Sequence, residues 1–331
     1  MALLQTWYNL TAHLQTLEVN RMSKGSNYYG GFFWVALVSF IVPLFVGYKA
    51  FENLRPTTKP IPQVDASGVD HKIWDYLLKS YVASGLVDYE GMKKDYLFRD
   101  YVRQIGECNP DALETEDEKL ALACNAYNAL VINSVIAHKI HDNVLLHDFD
   151  GKDFFESVEH IYAGDTISLN HLEKKMIIPT YGEPRVHVGL VCAARSCPAI
   201  RPEAYTGARV RDQLQDQSVQ FANNPAYVMF DPATNELKLS TLMAWYPKDF
   251  VERYPNGGHL QWINESTTEQ AIKDATGKAI ADLAKVEEER EIKISYYEYD
   301  WTLNSQADPT ADPSKSKKSG GGFGSGSSPD E

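Results

Sequence analysis

The sequence has no Cys-x-x-Cys pair and no dense cysteine framework. Its four cysteines, Cys108, Cys124, Cys192 and Cys197, are scattered through 331 residues. This excludes a small domain stapled by disulfides. The spacing Cys192-x4-Cys197 could close one small disulfide loop; the simpler reading keeps all four thiols reduced and mostly buried. There is also no Gly-x-Gly-x-x-Gly and no Gly-x4-Gly-Lys-Ser/Thr, which removes the usual nucleotide loops, and no cofactor is expected. Basic residues are in deficit, with 32 Lys and Arg against 45 Asp and Glu and a net charge of −13. Nucleic acid is therefore not an expected partner, because phosphate binding needs a cationic face. No internal repeat is present. What remains is 44% apolar and 23% charged residues, the balance of a domain that can bury a core.

One stretch breaks that balance. Gly25 to Tyr48 is a run of 24 residues without a charge, bracketed by Lys24 and Lys49. A bilayer core needs about 20 apolar helical residues. Tyr28, Tyr29, Phe32, Phe33 and Trp34 stand at one end and Tyr48 at the other, as an interfacial aromatic belt requires. A secretory signal fits poorly, since the run lies too far along the chain and no small-x-small cleavage site follows. The expectation is a single transmembrane helix over residues 25–50, in contact with the lipid bilayer. Arg21 and Lys24 before it and Lys49, Arg55 and Lys59 after it are too evenly divided to set the orientation.

Residues 1–24 carry a stripe of Leu3, Trp7, Leu10, Leu14 and Leu17, the spacing of one helix face. Its polar face is Gln, Thr and Asn with little Lys or Arg, so the helix is expected to lie on a membrane or dock on another protein rather than bind anionic lipid. Residues 51–68 hold three prolines between Arg55 and Gln63 and read as a stiff stalk. Residues 69–304 read as one globular α+β domain. Residues 305–331, rich in Gly, Ser and Pro, read as a disordered tail. Within the domain, Trp74, Leu77, Leu78, Tyr81 and Val82 have helical spacing, and Lys119 to Ile140 reads as a long apolar helix. Arg185 to Cys192 reads as a buried strand. Tyr227–Asp231 and Glu236–Ser240 read as a hairpin. Ser266-x-x-Glu269 reads as a capping box opening a helix to about Arg290, and Ile292–Tyr299 alternates as a last strand.

Six motifs then stand in order. They are Val82-x-x-Gly85-x-Val87-Asp88-Tyr89; Asn125-Ala126-Tyr127-Asn128-Ala129; Ser168-Leu169-Asn170-His171-Leu172-Glu173; Arg185-Val186-His187-Val188-Gly189-Leu190-Val191-Cys192-Ala193-Ala194-Arg195-Ser196-Cys197-Pro198; Ser240 with Trp245-Tyr246-x-x-Asp249-Phe250; and Tyr299-Asp300-Trp301-x-Leu303-Asn304. In this order they resemble the family catalogued as domain of unknown function 547, over about residues 74–304. The resemblance implies a domain and a motif set, but no reaction. Members of that family usually carry an aromatic pair before the Asn-Ala-Tyr-Asn segment, where this chain has Leu122 and Ala123.

The motif residues suggest thiol chemistry, with Cys192 or Cys197 as nucleophile and His187 or His171 as base. Asn125, Asn128, Glu173 or Asp300 would orient that base, and Arg195 could lower a thiol pKa. On a regular strand His187 and Cys192, five residues apart, would face opposite sides, which favours pairing His187 with Cys197. The plainer alternative makes His187 and Asn128 satisfied core polar groups. A zinc-type set of His171, Glu173 and His187 matches no closed ligand pattern, and no metal is expected. Two functions follow. The first is a single-pass membrane-anchored accessory subunit of a larger complex, photosynthetic or respiratory, that meets other membrane-protein subunits through residues 1–50. The alternative is a membrane-tethered cysteine-dependent hydrolase or acyltransferase. The striped helix and the missing aromatic pair rank the subunit first.

Overall fold

The computed structural model describes residues 58–147 and 153–307. The expected N-terminal helix, the membrane span, most of the stalk and nearly all of the tail lie outside those residues. The described part is a mixed helix-and-strand domain with two adjoining cores.

The first core forms around helices. α1 (His71–Tyr81) is capped by the Asp70 carboxylate and buries Trp74, Leu77 and Leu78. A tight hairpin of β1 (Val82–Ala83) and β2 (Leu86–Val87) follows, then α2 (Tyr89–Lys94) and α3 (Tyr96–Glu107). Trp74 of α1 stacks on Tyr101 of α3 with centroids 5.3 Å apart. α4 (Glu116–Ala137) runs through the middle of this core. Thr115 and Glu118 form a reciprocal capping box at its start, and three acidic residues in its first turn complement the helix dipole. Among the described residues α4 is the one helix long and apolar enough to cross a membrane, but it is mostly buried in the domain. Its all-round apolar surface is that of a central core helix.

The second core is built on β5 (Val228–Asp231), β6 (Glu236–Leu239) and β7 (Lys293–Tyr296). β5 and β6 form the expected hairpin, and β7 joins β6 in parallel. α5 (Val210–Ala222), α6 (His259–Ser266) and α7 (Gln270–Ala281) accompany this sheet, with Phe221, Phe250 and Trp262 buried among them. The hairpin of β3 (Glu159–Tyr162) and β4 (Asp165–Ser168) and a continuous helical run from Leu169 to Tyr181 pack into the first core.

Two expectations are corrected. Residues 185–192 are not a strand: Pro184–Val188 is a 3-10 turn, with Pro184 at its first turn. Val186 packs into the first core and Val188 into the second, so the run is apolar because it is wedged between two cores. Ser266 does not open a helix. It closes α6, and Thr267 and Thr268 are held by the Asn223 carboxamide oxygen. The next helix begins at Gln270 and ends at Ala281, well short of Arg290.

Candidate active site

The wedge between the cores sets the site. His187 sits midway between Val186 and Val188 and is 4% exposed. Its ring stacks on Tyr246 at 4.1 Å between centroids. Nε2 is 2.8 Å from Asp249 Oδ2, and Nδ1 faces Glu173 Oε1 at 3.7 Å. Glu173 lies in a π-helical stretch, Leu172–Ile177, a widened turn often found where a side chain must be re-aimed. The Tyr127 hydroxyl donates to Glu173 Oε2 at 2.9 Å. Tyr127, Glu173, His187 and Asp249 thus form a polar chain across the seam.

Beyond His187 the chain turns sharply, with Ala193 in the left-handed region at φ 60°. Gly189 is needed there: a Cβ would lie 2.7 Å from Leu214 Cδ2 and 2.8 Å from the Tyr205 hydroxyl. The turn is tied to the C-terminal segment, with Arg195 N–H donating to Thr302 O, Ser196 N–H to Asp300 O and Asn304 N–H to Ala193 O. This lays Tyr299 and Trp301 over the cysteines. Cys192 and Cys197 are both free thiols, Cys192 partly exposed and Cys197 buried. Cys192 Sγ is 2.9 Å from the Tyr299 hydroxyl, and the Cys192 N–H donates to Cys197 Sγ at 3.0 Å.

These groups line one cavity of about 50 Å³, with Glu173, His187, Cys192, Cys197 and Tyr127 on its polar side. Phe155, Trp245, Tyr246, Tyr299 and Trp301 form its aromatic wall. Leu122 and Ala123, where an aromatic pair was expected, are buried in α4 and do not line it. Because residues 184–188 are a turn, His187 and Cys192 reach the same cavity, contrary to the strand-based expectation.

The thiols differ. Burial pushes the Cys192 thiol up, but hydrogen bonds from Cys197, Tyr299 and the Ala194 backbone outweigh burial and the Glu173 charge, and hold it below its ordinary value. Burial and the neighbouring Cys192 push Cys197 well up. Burial, with the Asp65 charge beside it, carries Cys108 to about 11, and burial with the Glu183 charge carries Cys124 to about 12. Of the four thiols, Cys192 is thus the one held below its ordinary value. Removing the Tyr299 hydroxyl should raise the Cys192 pKa. In Tyr299→Phe the pH midpoint of iodoacetamide alkylation at Cys192 is expected to move upward, and an unmoved midpoint would contradict that role for Tyr299.

Other expected site residues fall elsewhere. His171 is exposed and does not line the cavity. Asn128 is buried and clamps the cysteine loop, donating to Gly189 O at 3.0 Å and accepting from Val191 N–H at 2.9 Å. Asn125 makes the same paired clamp on Tyr205. Both amides hold loops in place, and neither lines the cavity. Asp300 caps its own turn through Thr302 N–H, and Arg195 does not line the cavity. Among the described residues no group of three or more His, Cys, Asp and Glu is placed to hold a metal ion. Sequence reasoning did not assign roles to Tyr127, Asp249 and Tyr299, although each stands in a motif it had singled out.

No curated protein and no solved structure matches the chain. A family match covers the centre of the domain, from the turn at Pro110 to the end of α5, and leaves Asp249 and Tyr299 outside. Residues 110–222, which hold Tyr127, Glu173, His187, Cys192 and Cys197, match the family described as "Protein of unknown function, DUF547" and identify this stretch as a DUF547 segment.

Proposed function

We propose that this chain is a membrane-tethered, cysteine-dependent hydrolase or acyltransferase with Cys192 as its nucleophile. The observation that carries the reading is Cys192 Sγ, hydrogen-bonded to Tyr299 and opening into the cavity that also receives Glu173 and His187. The Cys192 thiolate forms a bond to an acyl carbonyl carbon, and the bond to the leaving group breaks. Glu173 is the cavity group that takes the thiol proton and returns it to the departing heteroatom. His187, fixed between Asp249 and Glu173, positions Glu173 instead of bonding sulfur directly. Water or a second nucleophile then releases the acyl group from sulfur. A cavity of about 50 Å³ suits a small acyl group, since it has room for little more than one or two waters.

The test is pre-steady-state kinetics with p-nitrophenyl acetate. The expected result is a burst of p-nitrophenol that Cys192→Ala abolishes and Cys108→Ala leaves intact. A burst that survives Cys192→Ala would overturn the assignment.

A second reading, the membrane-anchored accessory subunit, keeps one specific support. Ile61 and Val64, in the described end of the stalk, are 86% and 60% exposed and would gain from burial against a partner chain. Co-migration with stable partners after gentle detergent extraction supports it, and migration as a monomer sinks it.

A further inference from the structure

We propose that Cys192 and Cys197 form a peroxide-reducing dithiol, in which Cys192 attacks a small hydroperoxide and Cys197 resolves the product to a disulfide. The proposal shares Cys192 with the acyl-transfer reading but uses neither Glu173 nor His187.

Three observations carry it. The two thiols are free and adjacent: Cys197 Sγ lies 3.0 Å from the Cys192 backbone nitrogen. The tight turn thus brings the Cys197 sulfur against the residue it would bond. Their environments are unequal. Cys192 opens into the cavity, whereas Cys197 is 6% exposed, its thiol 3.8 Å from Leu190 O. Both thiols reach the cavity, and the more exposed Cys192 is the first to meet an oxidant. Finally, the cavity beside Cys192 is open and admits a small hydroperoxide.

The steps balance. The Cys192 thiolate takes the distal oxygen of ROOH as the O–O bond breaks, giving Cys192–SOH and, with one proton, ROH. The Tyr299 hydroxyl, at 2.9 Å from Sγ, is placed to supply a hydrogen bond to the transferred oxygen. Cys197 sulfur then attacks Cys192 sulfur, and the thiol proton leaves with the hydroxyl as water. Two thiols supply the two electrons that reduce the peroxide. An external dithiol restores the pair by thiol–disulfide exchange.

The test treats the reduced full chain with equimolar hydrogen peroxide, blocks remaining thiols with N-ethylmaleimide and digests with trypsin. Cleavage after Arg195 separates the two cysteines, so a disulfide joins two peptides. The expected result is the linked pair in wild type, lost on reduction, with Cys108 and Cys124 still blocked by maleimide. In Cys197→Ser the linked pair is lost and Cys192 is trapped by dimedone as sulfenic acid. Wild-type Cys192 that stays unoxidised, or that goes to sulfinic acid without a linked pair, overturns the proposal; this arm does not depend on any variant folding. A p-nitrophenol burst without the linked pair sinks the redox proposal alone. The linked pair without a burst sinks the acyl reading alone.

Discussion

Glu183→Ala is expected to destabilise the domain by about 3–5 kcal/mol, the cost of stranding a buried charge by removing its partner. The Glu183 carboxylate is 1% exposed and faces three arginines. It grips Arg185 in a fork, Nε to Oε1 at 2.7 Å and Nη2 to Oε2 at 2.6 Å. Arg211 Nη1 adds a contact of 2.8 Å to the same oxygen. Arg185 is itself buried, so without Glu183 its guanidinium keeps mainly Gln215 and the Arg211 carbonyl. The same carboxylate caps the 3-10 turn that carries His187. Urea unfolding at neutral pH measures the loss; a change below about 1 kcal/mol, typical of an exposed ion pair, would contradict the account. The sign of the pH dependence also follows. Burial pushes the Glu183 carboxyl up, but the hydrogen bonds and charges of Arg185, Arg253 and Arg211 hold it below its ordinary 4.5. Its contribution is then complete above that value and is lost as pH falls through the depressed folded value. In Glu183→Gln the acid-dependent part of the loss should shrink.

Asn128→Ala is expected to cost about 2–4 kcal/mol, because two buried backbone groups lose a partner at once. The carboxamide pairs with Gly189 O and Val191 N–H, so it fixes the chain immediately before Cys192. Gly189 O keeps a longer bond from the Tyr205 hydroxyl at 3.3 Å, whereas no second partner is seen for the Val191 amide among the described residues. Hydrogen exchange at Val191 should therefore accelerate beyond the change in global stability. Equal acceleration throughout the domain would show that Asn128 is an ordinary core residue and not a loop clamp.

The sequence made the long elements readable and left the site half-read. α4 and the β5–β6 hairpin follow from periodicity and turn residues, and both lie close to where the pattern places them. The run from Arg185 to Cys192 misleads because a short segment buried between two cores is apolar whether it extends or turns. The capping signal at Ser266 misleads because a distant side chain, Asn223, ties down the two threonines that follow it. Glu173, His187, Cys192 and Cys197 sit within two neighbouring motifs, and the fold brings all four to one cavity. Asp249 and Tyr299 complete the site from 62 and 107 positions away, a pairing that no local spacing encodes. Asn128 was open to two readings for a related reason: a buried amide that clamps a loop and one that orients a base have the same sequence signature, and the structure shows the clamp.

The central claim is that one thiol of four, Cys192, is the nucleophile. The most direct measurement is the site of covalent acetylation after brief exposure of the reduced protein to p-nitrophenyl acetate near neutral pH, located by peptide mass spectrometry. The account predicts acetyl on the peptide that contains Cys192, with Cys197, Cys108 and Cys124 unmodified on the same timescale. Acetyl spread over the four cysteines, or confined to any of the other three, would contradict it.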